Sequence, residues 1–99
     1  MKTAFYLELG NMQSEEIKDL IMFIGCTRSI NCTLSDHCID YKGDKLLLIA
    51  LTEGDKMELD LWSYNDLAEL GQEGYKLVSA KDKFIFMHEL IQGDYKYFK

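Results

Sequence analysis

The sequence predicts an α+β domain, a mainly antiparallel sheet with two helices on one side, built as a single domain over residues 1–99. Three observations predict it. Short runs that alternate with period two, or that are apolar throughout, recur along the chain and read as strands. Two other stretches carry apolar residues at helical spacing, each opened by a serine. No connection is long enough to return every strand in the same direction, so hairpins must supply much of the sheet. With 99 residues, 47% of them hydrophobic and 28% charged, the composition is globular and leaves room for one core.

Ala4 to Leu9, AFYLEL, reads as the first strand, with Gly10 and Asn11 turning the chain. Ser14 then precedes Glu15 and Glu16, an N-cap followed by acids that suit the positive end of a helix. Ile17, Leu20, Ile21 and Ile24 follow at helical spacing, Met22 and Phe23 widen the apolar face, and Gly25 suits a C-terminal cap. Ser29 to Tyr41 alternates, but Ile30, Cys32 and Leu34 are even-numbered whereas Ile39 and Tyr41 are odd. That phase slip predicts a bulge or tight turn near Ser35 and Asp36. Tyr41 to Lys45 reads as a hairpin connection, and Leu46 to Leu51 as a strand buried on both faces. After Glu53-Gly54-Asp55, Met57, Leu59 and Leu61 alternate with Glu58, Asp60 and Trp62: a strand with one wet face, on which Trp62 is out of place. Ser63 and Asp66 have capping-box spacing and open a short helix through Leu67 and Leu70.

The stretch from Leu67 to Val78, LAELGQEGYKLV, places two glycines between a helix and a strand. A phosphate cradle needs the opposite order, strand then glycines then helix N-terminus, because only that end offers free amide donors. Gly71 and Gly74 therefore read as an elbow, with Gly71 as the left-handed cap. Tyr75 to Ala80 continues as a strand, Lys81-Asp82-Lys83 as a hairpin turn, and Phe84 to Ile91 as the last strand. Strand, helix, strand, strand then occurs twice, in pseudo-repeat halves of about 1–52 and 56–99.

Leu67, Leu70, Gly71, Gly74, Tyr75, Leu77 and Val78, followed by Phe84 and Phe86, carry a resemblance. This third of the chain resembles a family of small bacterial and phage domains of unknown function, whose pattern is Leu-x-x-Leu-Gly-x-x-Gly-Trp-x-Leu-Val followed by a second strand rich in Phe. Tyr75 stands where that family has Trp. The resemblance implies a helix, an elbow and a strand, and brings no catalytic residue with it.

Seventeen acidic against 11 basic side chains give a net charge of -6, and the basic residues are scattered. Phosphate-backbone binding needs grouped cations, so a nucleic-acid partner is disfavoured, while an acidic surface suits solubility, steering toward a basic partner or imitation of nucleic-acid charge. The longest apolar run, Leu46 to Leu51, falls far short of the roughly 20 residues of a membrane helix. Cys26, Cys32 and Cys38 are an odd set without a secretory pattern, which predicts reduced thiols in a cytoplasmic protein, the host's cytoplasm if phage-encoded. Their spacing and that of His37 lack the paired knuckles of a zinc site, and no cofactor motif is present.

His37 beside Cys38, and His88 beside Glu89, are residue types found in nucleophilic and general-base sites, but strand neighbours point to opposite faces. The aromatics are the better lead: Trp62, Tyr64, Tyr95 and Tyr97, with Asp60 and Glu58 beside Trp62, form the candidate binding set. The resulting expectation is a small acidic interaction protein without catalytic activity, which binds and inhibits or neutralises a protein, in the manner of phage anti-defence and immunity proteins. The alternative is a small-molecule or nucleotide-binding homo-oligomer with a pocket between subunits, where Trp62 and Tyr64 stack on a base.

Overall fold

In the computed structural model, which describes residues 2–10, 12–27, 32–43, 46–54 and 56–92, the chain is α+β. Its elements run β1 (Lys2–Glu8), α1 (Ser14–Thr27), β2 (Cys32–Leu34), α2 (Asp36–Ile39), β3 (Leu47–Glu53), β4 (Lys56–Trp62), α3 (Leu67–Gln72), β5 (Lys76–Ser79) and α4 (Lys83–Gln92). A 3₁₀ turn at Tyr64–Asp66 leads into α3. The strands form a five-stranded sheet in the order β2-β4-β3-β1-β5. β3 pairs antiparallel with both β1 and β4, while the outer strands pair parallel, β5 on β1 and β2 on β4. The sheet is thus mixed rather than mainly antiparallel, and β3 alone among these strands runs against the rest.

That topology fixes where the helices lie. From β1 the chain crosses over β3 and β4 to reach β2, and from β4 it crosses over β3 and β1 to reach β5. Both crossovers join parallel strands but travel in opposite directions across the sheet. Crossovers of the same, right-handed kind then put their helices on opposite faces. The packing agrees: Ile17, Leu20, Ile21 and Ile24 of α1 share a core with Phe5, Leu7, Leu48, Ala50, Leu59 and Leu61. Leu70 of α3 instead buries Ala4, Leu47 and Ile49 on the reverse face, with Tyr6, Leu51, Trp62, Leu67 and Tyr75 around it. The two helices read from the sequence are therefore separated by the sheet, and the helix that shares α1's face is α4.

α4 replaces an expected strand. FIFMHELI is so densely apolar that both periods fit it, and the Lys81-Asp82-Lys83 turn suited a hairpin. The decisive local feature is Asp82, whose Oδ1 accepts the Ile85 backbone N–H at 2.9 Å and whose carbonyl accepts that of Phe86 at 3.1 Å. This caps a helix start. Phe86, Glu89 and Leu90 then face inward at helical spacing while Phe84 and His88 face out, and Phe86 stacks on Phe5 with ring centroids 5.2 Å apart.

The 29–41 stretch is likewise corrected. β2 stops at Leu34, Ser35 takes an extended conformation with φ -71° and ψ 164°, and α2 begins at Asp36. The phase slip is therefore a change from strand to helix, not a bulge. β2 pairs with β4, so Tyr41 to Gly43 does not close a hairpin onto β3, and Tyr41 is buried in the α1 face instead. Met22 and Phe23, expected to widen the buried face of α1, are exposed.

The glycine elbow is present with its roles exchanged. Gly71 lies inside α3, whereas Gly74 has φ 97°. Gly74 N–H donates to the Gly71 carbonyl and Tyr75 N–H to that of Leu70, both at 3.1 Å, the paired bonds of a Schellman cap. Lys2 Nζ sits 5.3 Å from the Tyr75 ring centroid. Gly74→Ala is expected to cost about 1–2 kcal/mol because a side chain resists that left-handed backbone. Gly71→Ala, whose added carbon meets Leu77 only at 3.9 Å, should be neutral or stabilising by up to about 1 kcal/mol. Urea denaturation of the two variants tests the assignment, which fails if their order is reversed.

Candidate functional site

The chemistry of the molecule gathers where β2 leaves the sheet. The Ser35 N–H donates to the Leu59 carbonyl at 2.9 Å, and beyond that point the chain turns into α2. β4 continues, and the next N–H it directs to that side belongs to Leu61. The Asp60 carboxylate takes it, with Oδ1 2.8 Å from Leu61 N. A side chain thus stands in for the missing strand, as a buried amide requires.

Asp60 is itself buried, and its carboxylate accepts three further hydrogen bonds. Ser35 Oγ donates to Oδ1 at 2.6 Å, His37 Nδ1 to Oδ1 at 2.9 Å, and Trp62 Nε1 to Oδ2 at 2.6 Å. The contact to His37 requires its Nδ1 to carry a proton. Four donors on one carboxylate are enough to hold its charge out of water, since hydrogen bonds to charged groups contribute about 1.5–3 kcal/mol each where they are shielded. The His37 bond is the exception. Its side chain is 62% exposed, so this pair belongs with the surface ion pairs, worth at most about 1 kcal/mol.

Ser35, His37 and Asp60 are the residue types of a hydrolytic triad, but their order is different. A triad passes the serine proton to histidine, whose other nitrogen is held by the carboxylate. Here serine and histidine both donate to the same oxygen, Asp60 Oδ1, so the serine proton is directed at the carboxylate. The adjacent thiol is equally committed. Cys38 is buried, its Sγ donates to the Leu59 carbonyl at 3.4 Å, and its pKa is pushed up to about 12. Burial is the main cause, the negative charges of Asp60 and Glu58 add to it, and hydrogen bonds with Ser35 act in the opposite sense. His37 and Cys38 are thus held apart, one on a carboxylate and the other on a carbonyl. Among the described residues no group of three or more His, Cys, Asp or Glu is placed to hold a metal ion.

Of the residues singled out by sequence, Trp62 and Asp60 are brought together, on the face covered by α3. That face of β4 is not uniformly wet: Glu58 is exposed, Asp60 buried and Trp62 half-buried. Tyr64 follows and is 53% exposed, its 3₁₀ turn fixed by the expected capping box, in which Asp66 Oδ2 accepts the Ser63 Oγ–H at 2.6 Å and the Ser63 N–H at 3.3 Å. Leu46, 50% exposed, lies next to Trp62, donating its N–H to the Trp62 carbonyl at 3.2 Å. Tyr95 and Tyr97 lie outside the described residues. His88 is on α4, where its exposed side chain and the buried Glu89 point in different directions. Ser35 is the participant that sequence reading missed. Its role depends on β2 lying beside β4, and the local signal was the polar Ser-Asp-His step at the phase slip.

A second feature lies on the opposite, α1 side: an open groove of about 550 Å³ between α1 and the chain from Leu34 to Lys42.

Asp60→Ala, which leaves the Leu61 N–H and the Trp62 indole without their acceptor, should cost about 3 kcal/mol or more. His37→Ala should cost under about 1 kcal/mol because solvent screens that pair. Urea denaturation followed by the fluorescence of the single tryptophan measures both, and equal losses would show that the two partners have been ranked wrongly. The Cys38 thiol carries a further expectation. Well below pH 9 it is neutral in both folded and unfolded chains, so its stability contribution does not vary. As pH rises from 9 towards about 12 the unfolded thiol ionises first, and folding stability falls. Between pH 7 and 9, mass spectrometry of iodoacetamide-treated protein should find exposed Cys26 alkylated promptly and Cys38 only as fast as the protein unfolds.

No protein-family model, curated protein or solved structure matches the chain.

Proposed function

We propose that this is an interaction protein, not an enzyme, and that it binds a protein partner through the end of the sheet that carries Leu46, Trp62 and Tyr64. The observation behind this reading is the state of Trp62. Its indole N–H is fixed to the buried Asp60 carboxylate at 2.6 Å, while the ring is only partly buried; Leu46, joined to the Trp62 carbonyl through its backbone, and Tyr64, two residues further on, are exposed. A tryptophan already held in one orientation loses little freedom on binding, and Trp and Tyr are the side chains that most often dominate interface energies.

The partner's surface is basic. The chain carries -6, and Glu58, two residues before Asp60 on the same face of β4, is exposed. Like charge disfavours an acidic partner or a phosphate backbone at this end. An acidic module of this size inhibits or neutralises such a partner by covering a cationic surface, which needs no reacting group. No helix among the described residues is long and apolar enough to cross a membrane. The free thiols of Cys26 and Cys38 favour a reducing compartment, the cytoplasm, for the encounter.

A photo-crosslinking amino acid in place of Tyr64 tests the reading in lysate of the source cells. One dominant protein adduct is expected, lost when Trp62→Ala is added and absent when the crosslinker replaces Glu15 on α1. Adducts that form equally from Glu15, or survive Trp62→Ala, would refute this surface.

A further inference from the structure

The groove on the α1 side is separate from the Trp62 surface, and its make-up points to a different kind of ligand. Its floor and walls are Ile21, Leu34, Cys38 and Tyr41, the first and last two buried, and its mouth is formed by Met22 and Ile39. Those two side chains are 66% and 65% exposed, on α1 and α2 respectively, and they bring apolar surface to the entrance from both sides. A volume of about 550 Å³ lies in the range of small-molecule pockets, roughly 300–1,000 Å³. The α1 wall runs only from Lys18 to Met22, about 6 Å at the rise of a helix. That is too short a track for a docked partner helix, which needs anchors across two turns or more, and it suits a compact molecule.

The charged groups select the head of that molecule. Lys18 comes from α1, and Asp40 and Lys42 from the segment after α2; all three are exposed at the rim. Two cations against one anion make the rim locally positive on a chain whose net charge is -6. Inside, the remaining polar groups are the Tyr41 side chain and the Cys38 thiol, which is neutral at physiological pH and already bonded to the Leu59 carbonyl. The interior therefore offers an apolar lining with no ionised group, and the charge lies at the entrance.

We propose that the groove between α1 and α2 is a binding site for a small apolar carboxylate, its hydrocarbon or aromatic body against Ile21, Leu34 and Tyr41 and its anionic head between Lys18 and Lys42. The site uses none of the residues of the Trp62 surface, so the two readings stand or fall separately.

Three probes of one size and different charge decide it: octanoate, octanol and octylamine, which is protonated at neutral pH. They are titrated into full-length protein labelled at the methionine and isoleucine methyl groups and followed by NMR. Octanoate should move the Met22 and Ile39 methyl signals saturably and bind several-fold tighter than octanol, with octylamine weakest. In the double variant Lys18→Glu with Lys42→Glu, octanoate affinity should drop by about tenfold, the scale expected for exposed charges reversed in pairs. The octanol affinity should not change. Both lysines are exposed, and an unchanged melting temperature confirms that the variant is folded. If octanoate gives no saturable shift, there is no site. If octanol or octylamine binds as well as octanoate, or if the double variant keeps the octanoate affinity, the assignment of an anionic head is overturned.

Discussion

The first four residues of β3 meet water on neither face of the sheet, and the architecture follows from that. Leu47, Leu48, Ile49 and Ala50 are all fully buried, two on each face of the sheet. A central strand of this kind is stable only if both faces are covered, and burying each large apolar side chain contributes about 1.5–3 kcal/mol towards that arrangement. α1 and α4 cover one face and α3 the other. The crossovers that deliver α1 and α3 leave β1 and β4, the strands that flank β3. Exchanging β1 with β4 and β2 with β5 leaves the sheet order unchanged apart from its direction. The sheet order is thus symmetric about β3, but the expected strand, helix, strand, strand repeat is not present: α2 stands between β2 and β3, and β5 is followed by α4.

The coverage is unequal. α1 spans Ser14–Thr27 and α4 Lys83–Gln92, whereas α3 spans only Leu67–Gln72. On the α3 side the lining thins toward β4, and there the structure uses polar chemistry instead of more hydrocarbon. Asp60 takes the place that an apolar residue would hold on a fully covered face. Its carboxylate satisfies the β4 backbone, ties down the start of α2 through Ser35, and orients Trp62. One buried charge thereby sets both surfaces of interest. It fixes the tryptophan on one face, and through α2 it steadies the wall that carries Ile39 on the other.

Much of this was legible in the sequence, and the failures have local causes. β1, α1, β4 and the capped entry to α3 were readable because each satisfies one period and one end signal, such as Ser14 before Glu15 and Glu16 or Ser63 before Asp66, and β3 because a six-residue apolar run between turn signals is too short for a buried helix. FIFMHELI was not, because a segment apolar at nearly every position satisfies both periods, and only the capping oxygen of Asp82 distinguishes them. The 29–41 stretch failed because a phase slip has two physical causes, a bulge or a change of element. At the site, Trp62 announced itself by standing on the polar parity of β4, with Asp60 two residues away. The convergence of Ser35 and His37 on Asp60 did not, because it depends on β2 pairing with a strand that comes three elements later. The groove was equally hidden: Met22 looked like core, and only the placement of α2 shows that it lines an opening.

The two edges of the sheet limit how this protein meets others. β2 contributes three residues at one edge and β5 four at the other, and each is paired in parallel with its inner neighbour. Beyond β2, the Leu61 N–H that β4 directs outward is already taken by Asp60. An incoming strand finds short runs of free backbone on which to zip, and stacking of copies into an extended sheet is discouraged in the same way. On the proposed interaction reading, recognition falls to side chains, whose identity mutation can change one position at a time while the sheet beneath them is unaltered.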